Sequence, residues 1–237
     1  MPPASASTGS RHEPGTERVG RPSRRPTREH TFGGELTTPR RRPYGPQAWL
    51  VDVDEPVAWA DALTAMDVPG VLAIVPAETT VTVQCTRERH HAVGVVLDTV
   101  VPAPAAPDRR PPVTIDVVYD GPDIDELAVA AQVSVDDVLR LHVTGEFHVA
   151  FCGFSPGFGY LSGLDRRLHV PRRSTPRTTV PAGAVGVAAG YTCVYPSASP
   201  GGWYLIGHTT ATLWDVDRDP PALLAPGRAV RFRRIDG

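Results

Sequence analysis

The sequence contains no lysine and no asparagine, so every basic residue other than histidine is arginine. Together with abundant Ala, Val, Pro and Gly, this reads as GC-rich coding and carries no weight for function. Cysteine is scarce as well. Cys85, Cys152 and Cys193 lie far apart and are odd in number, which excludes a disulfide framework and a Cys-x-x-Cys metal site and fits a reducing, cytoplasmic setting. Long apolar runs are missing: none approaches the roughly 18 residues of a membrane span, and AVGVVLDTVV is split by Asp98. Ser23-Arg24-Arg25 has a faint twin-arginine look, but no apolar segment follows it. Positive charge is missing from most of the chain. Residues 1–43 hold nine Arg and four Glu (+5), leaving 15 basic against 22 acidic residues (−7), which together give the net −2. An acidic body argues against nucleic acid as the main partner.

What is present suffices for a substantial core, since 237 residues with 41% hydrophobic content can form one large domain or two small ones. Residues 1–43 have almost no large apolar side chains and are expected to form a disordered basic extension. A strand-like run at 47–53, a helical spacing from Glu55 to Met66 ended by Pro69-Gly70, strands at 71–75 and 79–85, and a weaker helix over 87–97 predict a small α/β domain over 44–105. The proline-rich VPAPAAPDRRPP at 101–112 reads as a linker. A strand at 113–119 and helices near 123–131 and 135–142 follow, with Ser134 and Asp137 as a capping-box-like start. Brief strands at 147–152, 184–188, 203–207, 211–215 and 229–235, cut by Gly and Pro, predict a closed or sandwiched β domain over 106–237.

Gly153-Phe154-Ser155-Pro156-Gly157 matches a hydrolase nucleophile elbow by letter. The residue after the serine must give its N–H to an oxyanion, and Pro156 has none. The segment also lacks the strand-turn-helix setting and the Gly-Lys-Ser/Thr of a phosphate loop. It reads instead as a doubled Gly-Phe in which Pro156-Gly157 suits a type II turn displaying Phe154, Phe158 and Tyr160, either as a structural plug or as a ligand-stacking wall. His148 and Cys152 sit about 13 Å apart on an extended strand, too far for a nucleophile and its base. No compact ligand set supports zinc at His142, His148 and Cys152, so no metal site is expected, and His90-His91 read as a solvated helix face. Arg172, Arg173 and Arg177 lie in a loop stiffened by prolines between Gly-rich turns. Their planar forks suit carboxylate or phosphate oxygens, although a solvated charge run is the usual meaning of such a cluster. Pro200-Gly201-Gly202-Trp203 is a tight turn that either serves a hairpin or lets a ligand approach the backbone.

Taken in order, FCGFSPGFGYL, PRRSTPRTTVPAGAVGVA and VYPSASPGGWYLIGHT resemble the carboxyltransferase C and D family, which includes allophanate hydrolase subunit 1, KipI and the B-type 5-oxoprolinase proteins. The resemblance covers residues 44–237 and is most specific over 142–215. It implies an α+β architecture, a small α/β domain followed by a cyclophilin-like β-barrel. It also implies work with a C-type sister subunit and a LamB/YcsF-type A subunit, and the use of ATP with magnesium to phosphorylate the oxygen of 5-oxoproline, a poor electrophile, ahead of ring opening to glutamate. Arg172 and Arg177 fall on the family's PRxxxPR positions, and Gly153, Phe154, Pro156, Gly157, Phe158 and Tyr160 on its GFxPGFxYL motif.

Through the resemblance, the expected catalytic residues are Arg172, Arg177 and Tyr160. The expected substrate-binding residues are Gly153, Phe154, Pro156, Gly157 and Phe158, with Pro200, Gly201, Gly202 and Trp203. The sequence departs from the family pattern at Gly159, Ala184, Tyr191, Cys193 and His208. The expected function is that of an ATP-dependent 5-oxoprolinase B subunit, inactive alone. The alternatives are a KipI-like inhibitor of a sensor histidine kinase and a carboxyl-transfer or allophanate hydrolase subunit.

Overall fold

The computed structural model describes residues 40–103 and 110–237, which belong to one compact unit. The extension up to residue 39 and the middle of the proline-rich linker, residues 104–109, lie outside the described residues. The expected extension reaches too far in one respect. Arg40–Pro43 is a strand, β1, antiparallel to β2 (Ala48–Asp52). A segment with no apolar residue except its proline is held there by backbone pairing and by charge: Arg42 donates to Asp52 and Arg41 to Asp98.

The first layer is an antiparallel sheet of order β1-β2-β4-β3, with β3 (Val71–Pro76) and β4 (Thr80–Cys85), covered by α1 (Pro56–Ala65) and α2 (His90–Leu97). Alternation along β2 and β4 turns Trp49, Val51, Val81 and Val83 inward against Trp59 and Leu63 of α1 and Val93 and Leu97 of α2. Pro56 begins α1, where its missing N–H is harmless, and Gly70, at φ +89°, turns the chain into β3. His90 departs from the expected solvated face. Its ring stacks on Trp49 at 4.5 Å, and only His91 is exposed.

The second layer is a seven-stranded sheet of order β12-β9-β10-β7-β6-β13-β5. Its strands are β5 (Val113–Val117), β6 (Phe147–Cys152), β7 (Gly159–Ser162), β9 (Ala184–Ala188), β10 (Tyr191–Val194), β12 (Tyr204–His208) and β13 (Ala229–Arg234). An antiparallel bridge between Val118 and His208 joins the two outer strands, so the sheet closes into a barrel. Closure brings backbones very near each other. A Cβ on Gly121 would lie 2.3 Å from the Leu205 carbonyl oxygen, and one on Gly207 would lie 2.3 Å from that of Val118. Helices α3 (Ile124–Ala131) and α4 (Val135–Val143) pack Leu127, Val138 and Leu141 against the barrel core. Ser134 caps α4 as expected, accepting the N–H of Asp137. Two short strands, β8 (Arg177–Val180) and β11 (Ser199–Gly201), form a separate ribbon. The strand expected at 211–215 is absent: Trp214 forms one isolated bridge to Ala222, and the segment is otherwise irregular.

The two layers touch where Tyr191 of β10 donates its hydroxyl to Glu78, in the β3–β4 turn, at 2.9 Å. The architecture is thus α+β, a small α/β layer followed by a barrel.

Candidate functional site

The β6–β7 turn is built as its sequence requires. The N–H of Phe158 donates to the Ser155 carbonyl, and Gly157 sits at φ +82°, the geometry of a type II turn with Pro156 and Gly157 as its central residues. A strand, β7, follows where a nucleophile elbow would need a helix. One residue before Ser155, Phe154 adopts φ +72°, a left-handed conformation unusual for a bulky side chain, and stays 62% exposed.

The turn forms one wall of a pocket of about 60 Å³ lined by Phe154, Phe158 and Tyr160. Pro200, Gly201, Gly202 and Trp203 form the opposite wall, with Tyr195 and Arg172 completing it. Gly201 is required by its neighbour, since a Cβ there would lie 2.3 Å from the Tyr195 hydroxyl oxygen. Rings pack in sequence around the site: Tyr160 stacks on Phe151 at 4.3 Å, and Phe158 meets Tyr195 edge-on at 5.3 Å. The Arg172 guanidinium lies 5.8 Å from the Trp203 ring centroid. Burial pushes the Tyr160 phenol above its ordinary pKa, against an opposing pull from Arg172. Tyr160 is therefore a protonated hydroxyl at neutral pH, a hydrogen-bond donor and not a base.

The three arginines of the proline-stiffened loop divide. Arg177 donates through both terminal nitrogens to the buried carboxylate of Asp123, at 2.8 and 2.6 Å. Arg173 reaches Asp123 at 3.1 Å and Glu126 at 3.0 Å. Among the described residues Arg172 has no carboxylate partner. The expectation that Arg177 offers a free anion-binding fork is therefore corrected: Asp123 occupies it, and it does not line the pocket. Gly153, Pro156 and Gly157 also shape the turn without lining the pocket, Gly157 being packed against Leu213 and Trp214. Tyr195 and Asp123 carry no local motif and escaped sequence reasoning. Asp123 lies 54 residues from Arg177, and only the fold joins them.

Buried side-chain polar atoms without a partner are few among the described residues, and all belong to segments that line the pocket or adjoin its lining: Ser155 Oγ, Arg173 Nε and Ser199 Oγ. Buried polar atoms of this kind call for a partner, an ordered water as readily as a ligand. His142 is the opposite case. The Tyr119 hydroxyl donates to Nδ1 at 2.8 Å, Nε2–H donates to Thr192 Oγ1 at 2.8 Å, and Thr192 donates onward to the Gly186 carbonyl at 3.0 Å. Complete burial drives its pKa down to about 3, so it is a neutral core histidine. His148 bonds Ser162 and the Cys152 thiol faces the Leu224 carbonyl, so neither serves the other. Among the described residues no three His, Cys, Asp or Glu side chains form a metal-binding group.

The family model for the carboxyltransferase domain, subdomains C and D, matches residues 39–224. The chain belongs to this family. It is 38% identical over 205 residues to the 5-oxoprolinase B subunit of Escherichia coli O157:H7, covering 79% of this chain and 92% of that protein. It is 45% identical over 126 residues to the 5-oxoprolinase B subunit of Bacillus subtilis, about half of each chain. The crystal structure of TTHA0988 superposes with a TM-score of 0.71 at 33% identity over 81% of this chain, which spans only 41% of that longer chain. Urea carboxylase of Kluyveromyces lactis, at 18% identity, a TM-score of 0.66 and covering 86% of this chain and 22% of its own, shares the fold of these carboxyltransferase domains. No helix among the described residues is long and apolar enough to cross a membrane.

Proposed function

We propose that this chain is the B subunit of a cytoplasmic ATP-dependent 5-oxoprolinase, which holds 5-oxoproline for activation and ring opening to glutamate with a C-type sister subunit and a LamB/YcsF-type A subunit. The observation that carries this reading is the Arg172 guanidinium, without a carboxylate and beside Tyr160 and Trp203, in a chain 38% identical to a 5-oxoprolinase B subunit along nearly the whole length of that protein. 5-Oxoproline is a small flat ring with one carboxylate. Arg172 suits the carboxylate, the aromatic lining suits the apolar ring, and Tyr160 offers a donor to a lactam oxygen.

The pocket lining offers a triphosphate one guanidinium and no phosphate loop, a poor match for ATP with its magnesium. The nucleotide and the water-activating groups are assigned to the sister subunits, with the pocket completed across an interface.

The test is an assay of 5-oxoproline-dependent ATP turnover and glutamate formation by the purified chain, then by stepwise mixtures with the C-type and A-type subunits. Both activities are expected only in the full mixture. Turnover by the lone chain would sink the shared-site model. An assembled but inactive complex would favour the kinase-inhibitor or carboxyl-transfer reading.

A further inference from the structure

We infer that Asp123 sets the anion selectivity of the pocket: by engaging Arg173 and Arg177 it leaves Arg172 as the one guanidinium of the loop without a carboxylate, so the site takes a small monocarboxylate and disfavours phosphate. The inference rests on reading the pocket as an acid-binding site.

Asp123 is 3% exposed, just before α3, and its two oxygens meet Arg177 twice, Arg173 once and the N–H of Leu205 at 2.8 Å. Leu205 lies two residues beyond Trp203, and the N–H of Arg173 donates to the Gly202 carbonyl at 2.9 Å. Asp123 thereby fixes the loop carrying Arg172 against β12 and the turn carrying Trp203 just before it. It also governs charge. Asp123 and Glu126 together engage two of the three guanidinium groups of this loop, and Glu78 adds a negative charge felt at Tyr160 on another side of the pocket. The charge of Arg177 reaches the pocket, being felt at the Tyr195 hydroxyl. The one guanidinium without a carboxylate, Arg172, matches one carboxylate of a ligand. A doubly charged anion would need the two arginines that Asp123 has engaged.

Asp123 is thus a positioning residue, and its test reads a ratio that loss of stability alone does not move. Cyclopentanecarboxylate and inorganic phosphate are titrated against the full chain by calorimetry. Wild type is expected to prefer the carboxylate. Asp123→Asn keeps an acceptor for Leu205 but leaves Arg177 without a carboxylate and Arg173 with Glu126 alone, and should shift the carboxylate-to-phosphate affinity ratio toward phosphate by roughly tenfold. Adding Arg177→Gln restores the wild-type net charge and should return most of the ratio. Glu126→Gln alters an exposed side chain that poses no folding problem, and should shift the ratio the same way by about threefold.

An unchanged ratio in Glu126→Gln and Asp123→Asn, whatever their melting temperatures, would overturn the inference. So would a wild-type chain that prefers phosphate or binds neither probe. Should the ratio shift as expected while the assembled complex fails to open 5-oxoproline, the proposed function falls and the assignment of Asp123 stands.

Discussion

Two arginine-rich segments look alike as sequence, RRRP at Arg40–Pro43 and PRRSTPR at 171–177, and each lays one guanidinium over a tryptophan. Arg41 lies 4.6 Å from the Trp49 ring and gives Nε and Nη2 to Asp98 at 2.6 and 2.7 Å. Arg172 lies 5.8 Å from the Trp203 ring and has no carboxylate. In the first segment both the stacking and the charge are consumed locally, and the result is an edge strand fastened to a sheet. In the second, a buried aspartate consumes the two neighbours and the remaining fork faces an aromatic pocket. Arginine density and stacking are common to both segments; the presence or absence of a paired carboxylate separates structural arginine from binding arginine.

The largest effect is expected where the pairing is buried. Arg177→Ala leaves Asp123 in the interior with Arg173 alone and should cost about 3 kcal/mol of stability, measured by urea unfolding. A loss below about 1 kcal/mol would mean that Arg177 is a fork merely resting on Asp123, and the division of the loop would fail.

Arg172→Ala should behave oppositely. It removes one unpaired fork, so stability should stay within about 0.5 kcal/mol, while affinity for cyclopentanecarboxylate and turnover of the assembled enzyme fall by about 10- to 100-fold. Arg172→Lys keeps the charge and loses the fork, and should recover only part. Full binding and activity in the alanine variant would remove Arg172 from the site.

This contrast marks how far the sequence can be read. Period-two alternation reveals β2, β4, β6 and β13 because each runs five or six residues with one face buried. It does not reveal β7, β8 or β11, because three or four residues are too short to show a period. The aromatic turn and the Gly-Gly-Trp turn are legible because each obeys local backbone rules, and they supply most of the pocket lining. Asp123 is not, since from sequence it is one of several acidic residues at the start of a helix. Its meaning arises from burial beside two arginines some fifty residues away. The same blindness made Arg177 look equivalent to Arg172.

The smallest effect concerns the exposed pair of β1, and its observable is a titration. Hydrogen bonding from Arg41 holds the Asp98 carboxyl below the ordinary carboxylate range. A depressed folded-state value means that the pair contributes stability above the unfolded aspartate pKa of about 3.9, and that this is lost as pH falls through the lower folded value. Arg41→Ala should return Asp98 to about 3.9 when its side-chain carboxyl is followed by NMR. Arg172→Ala should shift no aspartate, because no aspartate is paired with it. An Asp98 that titrates normally in the wild type would show that Arg41 leans on Trp49 without being held by its carboxylate, and β1 would then resemble the pocket loop more than the two structures of charge suggest.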